Sequence, residues 1–175
     1  TPRRRHRSAS WSNWSGRVHE RSRLTASPST ETAVRALVQG AAGSRLTVKA
    51  VGAGHSFNDI AAAEGLRVDL DSYQGIVSVN EATDVVTFRA GTRLSRLPEL
   101  LAPYGLALEN QGDIDHQTLA GAISTGTHGT GLAFTGLSAM VASLRMVLAD
   151  GSVLYCDART HPEVFEFARL GLGAL

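Results

Sequence analysis

The sequence predicts an α+β fold in two lobes, a small β-α-β-β lobe followed by a larger, mainly antiparallel one that is truncated at the C-terminus. Three observations predict it. The chain up to Tyr73 reads strand, helix, strand, strand. Further on, two pairs of apolar runs are joined by polar turns, the mark of antiparallel hairpins. Between those pairs, from Gly105 to Gly136, glycines alternate with Thr, Ser and small apolar residues. Six glycines fall between Gly112 and Gly136. A solvated linker needs no Leu119, Ala120, Ala122 or Ile123, so that stretch reads as a ligand cradle built from backbone N–H groups and hydroxyls.

The elements follow in order. Residues 1–12 read as a tail, basic through Arg3, Arg4, Arg5 and Arg7 and solvated. The segment WSNWSGR, Trp11 to Arg17, carries two tryptophans able to pin the N-terminus to the body. Leu24 to Ser27 reads as a short strand. Pro28-Ser29-Thr30-Glu31 opens a helix with a hydroxyl cap and an acidic first turn. Ala33, Val34, Leu37, Val38 and Ala41 recur at helical spacing, and Gly43 stops them. Leu46 to Val51 and Leu66 to Leu70 read as strands. The second lobe starts at about Gln74, with strands Ile76–Val79 and Val85–Phe88. Thr92 reads as the cap of a helix bearing Leu94, Leu97, Leu100 and Leu101, with Pro98 shifting its start. Ala142–Leu148 and Val153–Cys156 flank Asp150-Gly151, a hairpin signal. His161–Arg169 reads as a helix, and Leu170–Leu175 as the lead-in to another strand.

Composition bounds the function. The 175 residues hold 17 Lys and Arg against 16 Asp and Glu, a formal net charge of +1. That balance argues against a dedicated nucleic-acid binder. No run is long and apolar enough to cross a bilayer as a helix. Cys156 is the only cysteine, so no internal disulfide forms, and a reducing cytoplasm is the default compartment.

Two histidines stand out chemically. His55, in VGAGHSFND, follows a strand that turns on two glycines; the third glycine of a dinucleotide fingerprint is missing and no helical pattern follows. A tight turn among small neighbours presents its imidazole, a competent nucleophile near neutral pH. His128, in TGTHGTG, has glycines around it and little packing of its own, so it reads as a ligand or loop contact. Asp113 and Asp115 suit either acid–base work or an ordinary turn. No histidine pair has metal-ligand spacing, and no metal is expected. No Gly-x-Ser-x-Gly elbow occurs.

VGAGHSFNDIA, LALENQGDIDHQTLAGAISTGTHGTG and LADGS, in this order, resemble the PCMH-type FAD-binding domain of aldonolactone and alditol oxidases. These belong to the vanillyl-alcohol-oxidase superfamily and include gulonolactone and arabinonolactone oxidases. The resemblance covers Asn13 to Leu175. It implies that FAD lies between the lobes and that Val51, Gly52, Ala53, Gly54, His55, Ser56 and Phe57 wrap its pyrophosphate. It implies that His55 carries a covalent bond to the flavin 8α carbon. Gly112 and Asp113 match positions at the flavin's reactive edge; Thr118, Gly121, Ala122, Thr125, Gly126, Thr127 and His128 match positions along its ribityl and pyrophosphate. Glycine at 112 resembles oxidases that react with O2, whereas dehydrogenases using another electron carrier hold a bulkier residue. Asp113 departs from the hydroxyl of related alditol oxidases. The implied reaction is hydride transfer from a carbon beside a hydroxyl of a sugar lactone or polyol to flavin N5, then reoxidation. Family members continue into a second domain that holds the catalytic side chains. The resemblance therefore implies no catalytic residue in this chain and no turnover by it alone. A non-catalytic flavin module and a phosphate-cradling hydrolase fragment are the readings from other classes.

Overall fold

The computed structural model describes residues 6, 7 and 10–174. It divides into two compact units, 1–72 with 146–154, and 73–145 with 155–175.

The first unit is built on a four-stranded sheet. Its strands are β1 (His6–Arg7), β4 (Leu24–Ala26), β5 (Val48–Val51) and β6 (Leu66–Asp69), in the order β1-β4-β6-β5. β6 runs parallel to β4 and β5, while β1 pairs antiparallel with β4. The central strand is buried along Leu66, Arg67 and Val68, as a strand covered on both faces should be. A second pair, β2 (Ser10–Ser12) and β3 (His19–Arg21), forms an antiparallel hairpin. β1 and β2 both fall where the sequence predicts a tail. Two- and three-residue strands are too short to show periodicity, and their pairing partners lie further along the chain. The rest of that predicted tail, residues 1–5, 8 and 9, lies outside the described residues.

The β2–β3 hairpin supplies Glu20, 3.9 Å from the buried Arg67 guanidinium, which also lies over the Trp11 ring. The other Glu20 oxygen accepts from Ala63 N–H at 2.7 Å. Between β4 and β5 runs α1 (Glu31–Gly43), capped by Thr30, whose hydroxyl accepts from Ala33 N–H. Residues 146–154 join this unit at α1: Arg35 Nε donates to the Gly151 carbonyl at 2.8 Å.

The second unit contains the antiparallel pair β7 (Ile76–Asn80) and β8 (Val85–Phe88), with a bulge between Ile76 and Ser78. It also holds α2 (Leu97–Leu101), α3 (Leu119–Ser124) and α4 (Pro162–Ala168). Leu94, Leu97, Leu101, Ala122 and Leu137 form its core, flanked by Val86, Phe88, Leu119 and Ile123. The hairpin of β9 (Ser143–Val147) and β10 (Val153–Asp157) is divided between the units. Burial and the neighbouring Asp157 carboxylate push the Cys156 thiol above its ordinary pKa.

Two local expectations are corrected. Thr92 caps no helix: its hydroxyl donates to Arg89 O at 2.7 Å and accepts from Gly75 N–H at 3.0 Å. The segment it was expected to open is a 3-10 turn, Leu94–Arg96, and the α-helix starts only at Leu97, where Pro98 fits the first turn. Residues 170–174, read as the lead-in to a later strand, run as turns, with Leu172 at φ +52° and its N–H donating to Ser124 O.

Candidate cofactor site

The first candidate loop begins where β5 ends. Val51 is buried in the sheet, and the chain then turns through Gly52, Ala53 and Gly54 to His55. Gly54 has φ +67°, and a Cβ there would lie 2.9 Å from the Trp11 ring, so both backbone and space call for glycine. Among the described residues, the N–H groups of Gly52, Ala53 and Gly54 make no hydrogen bond within the chain. Three successive half-buried donors in a turn suit an anion. A nucleotide pyrophosphate supplies the acceptors they lack, so this loop fits FAD.

That turn is held from one side by the loop between β2 and β3. Asn13 Nδ2 donates to Ser56 O at 2.8 Å, and Trp14 N–H donates to Gly54 O at 2.8 Å. The Trp14 indole stacks on the His55 imidazole, with centroids 5.2 Å apart and planes 17° from parallel; Phe57 meets it edge-on at 5.8 Å. Sequence reasoning marks Trp14 as an anchor for the N-terminus but does not connect it with His55. No short-range pattern links residues so far apart in sequence.

The second loop surrounds α3. Its start is fixed against the segment before α2. Leu119 N–H donates to Thr92 O at 2.7 Å, Ala120 N–H to Ala90 O, and Leu94 N–H to Gln117 O. Thr118 caps α3, its Oγ1 accepting from Gly121 N–H at 3.2 Å. These bonds use the donors that open the helix, leaving none for a phosphate. Thr118 and Ala122 are fully buried, Thr118 as the helix cap and Ala122 in the core. Thr118→Ala should lower stability by about 1–2 kcal/mol, read from the denaturant midpoint, because it strips this cap.

Past α3, Thr125 Oγ1 donates to Gly121 O, Gly126 N–H to Ile123 O, and Thr127 Oγ1 accepts from Gln117 Nε2. His128 is exposed; its Nδ1 donates to the Gly129 carbonyl at 2.8 Å, which leaves Nε2 of the neutral ring as an acceptor. Gly129 packs on Asn110 and Gln111: a Cβ there would sit 2.4 Å from the Asn110 amide and 2.7 Å from Gln111 O. Among the described residues, the N–H groups from His128 to Gly131 have no partner in the chain. This second run of open donors starts four residues beyond the end of α3 and reaches Thr130 and Gly131, which the sequence did not single out as site residues. Gly112 is half-buried and Asp113 exposed; a Cβ at Gly112 would meet His128 O at 3.1 Å. Among the described residues, no three His, Cys, Asp or Glu cluster to hold a metal.

Two glycine turns that expose runs of backbone donors, on a mixed parallel and antiparallel scaffold, fit the PCMH-type FAD-binding domain that the sequence resembles. The chain belongs to the FAD binding domain family, whose model matches residues 22–157. It is similar to the L-gulono-1,4-lactone dehydrogenase of Mycobacterium tuberculosis, 41% identical over 165 residues, with 94% of this chain and 38% of that protein covered. It is also similar to the L-gulonolactone oxidase of Mus musculus, 38% identical over 128 residues, covering 73% of this chain and 29% of that protein. Among solved structures, a Physcomitrella patens BBE-like 1 variant superposes with a TM-score of 0.78 at 23% identity, covering 86% of this chain and 33% of that one. The 6-hydroxy-D-nicotine oxidase of Arthrobacter nicotinovorans superposes with a TM-score of 0.77 at 25% identity, covering 93% and 35%. The chain spans 38% or less of the length of each of these relatives. No helix among the described residues is long and apolar enough to cross a membrane.

Proposed function

We propose that this chain is the cofactor-binding part of an oxidoreductase that oxidises a hydroxyl of a sugar-derived aldonolactone, with FAD attached covalently to His55. The observation that carries the reading is the turn after β5, where three open N–H groups precede a held imidazole. Bound FAD supplies the two-electron acceptor for hydride from a carbon beside a hydroxyl. The chain's own residues bind and orient it. Gly52, Ala53 and Gly54 donate to the pyrophosphate, with Ser56 and Phe57 completing that turn. The backbone from His128 to Gly131 adds further donors, and Thr125, Gly126 and Thr127 line the same loop. Gly112 and Asp113 stand at the flavin's reactive edge. Thr118, Gly121 and Ala122, at the start of α3, complete the stretch along the ribityl and pyrophosphate.

Attachment at His55 is an oxidative coupling. His55 would hold the flavin through a bond from its unprotonated imidazole nitrogen to the C8 methyl carbon; the ring N–H and one methyl C–H would be lost, and their two protons and two electrons would pass to dioxygen, giving hydrogen peroxide.

We take O2 as the acceptor in turnover too, from the glycine at 112. A second reading, reoxidation by another electron carrier, is supported by the similarity to a dehydrogenase. The packing of Gly112 against His128 O also explains a glycine there without any role for oxygen. The single buried cysteine supports a cytoplasmic setting.

The reading is tested in two steps. The chain, incubated with FAD and then gel-filtered, should stay yellow, and a colourless chain would overturn the cofactor assignment. Anaerobic L-gulono-1,4-lactone should bleach the flavin of the whole protein. Unchanged absorbance with every aldonolactone tried would overturn the substrate class. Admitting air then separates the acceptors: prompt return of the colour supports O2, and persistent bleaching supports a carrier.

A further inference from the structure

We propose that Trp14 is the positioning residue for His55, holding the imidazole in the orientation from which it bonds to the flavin. The inference rests on the covalent reading above. It starts from how firmly Trp14 is itself held. Asn13, only 3% exposed, spends its side chain on both ends of a small loop. Its Oδ1 accepts from Arg17 N–H, Val18 N–H and the Ser15 hydroxyl, each at 3.1 Å, and its Nδ2 reaches across to Ser56 O. Gly16 closes the loop at φ +68°, its N–H donating to Asn13 O. The loop is thus a preformed clamp on the two sides of His55. One hydrogen bond fixes the residue before it, through Gly54 O, and another the residue after it, through Ser56 O.

With the backbone pinned on both sides, the remaining freedom of His55 lies in its side-chain torsions. The near-parallel indole restricts those by covering one ring face. Phe57, two residues on, braces the indole from its edge. Trp14 is 61% exposed and Phe57 64%. Packing of the fold does not account for placing two large aromatics in the open around an imidazole. Holding that imidazole for bond formation does, since orientation of a nucleophile is where such contacts act most strongly.

The test uses wild type, Trp14→Ala, Trp14→Phe and His55→Ala chains incubated with FAD in air. Flavin is then measured in the acid-precipitated protein over time. Trp14→Ala should acquire acid-stable flavin about tenfold more slowly than wild type, and Trp14→Phe should recover most of the rate. Thermal midpoints of the FAD-free chains check that folding is unchanged. NMR of the FAD-free chains reads the stack itself: the His55 ring protons should be shifted upfield by the indole in wild type and lose that shift in Trp14→Ala. Equal rates in wild type and Trp14→Ala would overturn the positioning role while leaving the covalent reading intact. So would a wild-type His55 without the upfield shift. Absence of acid-stable flavin from wild type, in a chain that nonetheless stays yellow in native buffer, would overturn the covalent reading and this inference with it.

Discussion

A His55→Ala chain incubated with FAD should lose all of its flavin to the supernatant when acid-precipitated, whereas wild type should keep its colour in the pellet. The effect is all-or-none because the substitution removes the atom that forms the bond. Weak binding does not explain it. The donors of Gly52, Ala53 and Gly54 belong to the backbone and survive the change, so the variant should still bind FAD reversibly. The fold should survive as well, since His55 is only half-buried, Trp14 N–H keeps its bond to Gly54 O, and Asn13 Nδ2 keeps its bond to Ser56 O. The check is flavin absorbance in pellet and supernatant, with the unprecipitated variant measured alongside. A yellow pellet from His55→Ala would place the bond elsewhere.

The largest stability effect should come from a residue with no side chain, Gly65. A Cβ there would fall 2.3 Å from Thr47 O, 2.6 Å from Thr47 Oγ1 and 2.9 Å from Thr47 N. The obstacle is mostly backbone, and that backbone is already committed: Leu66 N–H donates to Thr47 O at 2.8 Å, and Leu24 N–H to Gly65 O at 3.0 Å. Relief would mean pushing β5 away from β6, the central strand. Gly65→Ala should therefore cost about 3 kcal/mol, at the upper end of overpacking costs. For a chain of this size that is a fall of about 10 °C in thermal midpoint. Because β5 delivers the chain to Gly52, reversible FAD retention should weaken with it. Gly40→Ala makes the contrast. That position lies inside α1 with nothing within 4 Å of a new Cβ, so the change should stabilise by up to about 1 kcal/mol through helix propensity.

What the sequence discloses depends on how local the signal is. α1 is legible from Thr30 to Gly43 because its cap, its period and its stop all sit within one short stretch. β7, β8 and the Asp150-Gly151 hairpin are legible for the same reason. β1 and β2 are not, since strands of two and three residues depend on partners elsewhere in the chain. α3 is hidden because its six residues include Gly121 and end among hydroxyls, so composition reads as loop where tertiary bonds from Ala90 and Thr92 impose a helix. In the candidate site, the glycine turns are visible because glycine marks close approach wherever it falls. The Trp14–His55 stack and the Asn13 clamp are invisible for the opposite reason: both join residues some forty positions apart.

Peptide mapping tests the account most directly. After incubation with FAD in air, trypsin should release residues 50–67, cut after Lys49 and Arg67, as one peptide containing His55 and no other histidine. This peptide should carry the added mass of the flavin nucleotide and co-elute with flavin absorbance. A 50–67 peptide of unmodified mass, with the flavin free in solution or on a peptide holding His128, would contradict it.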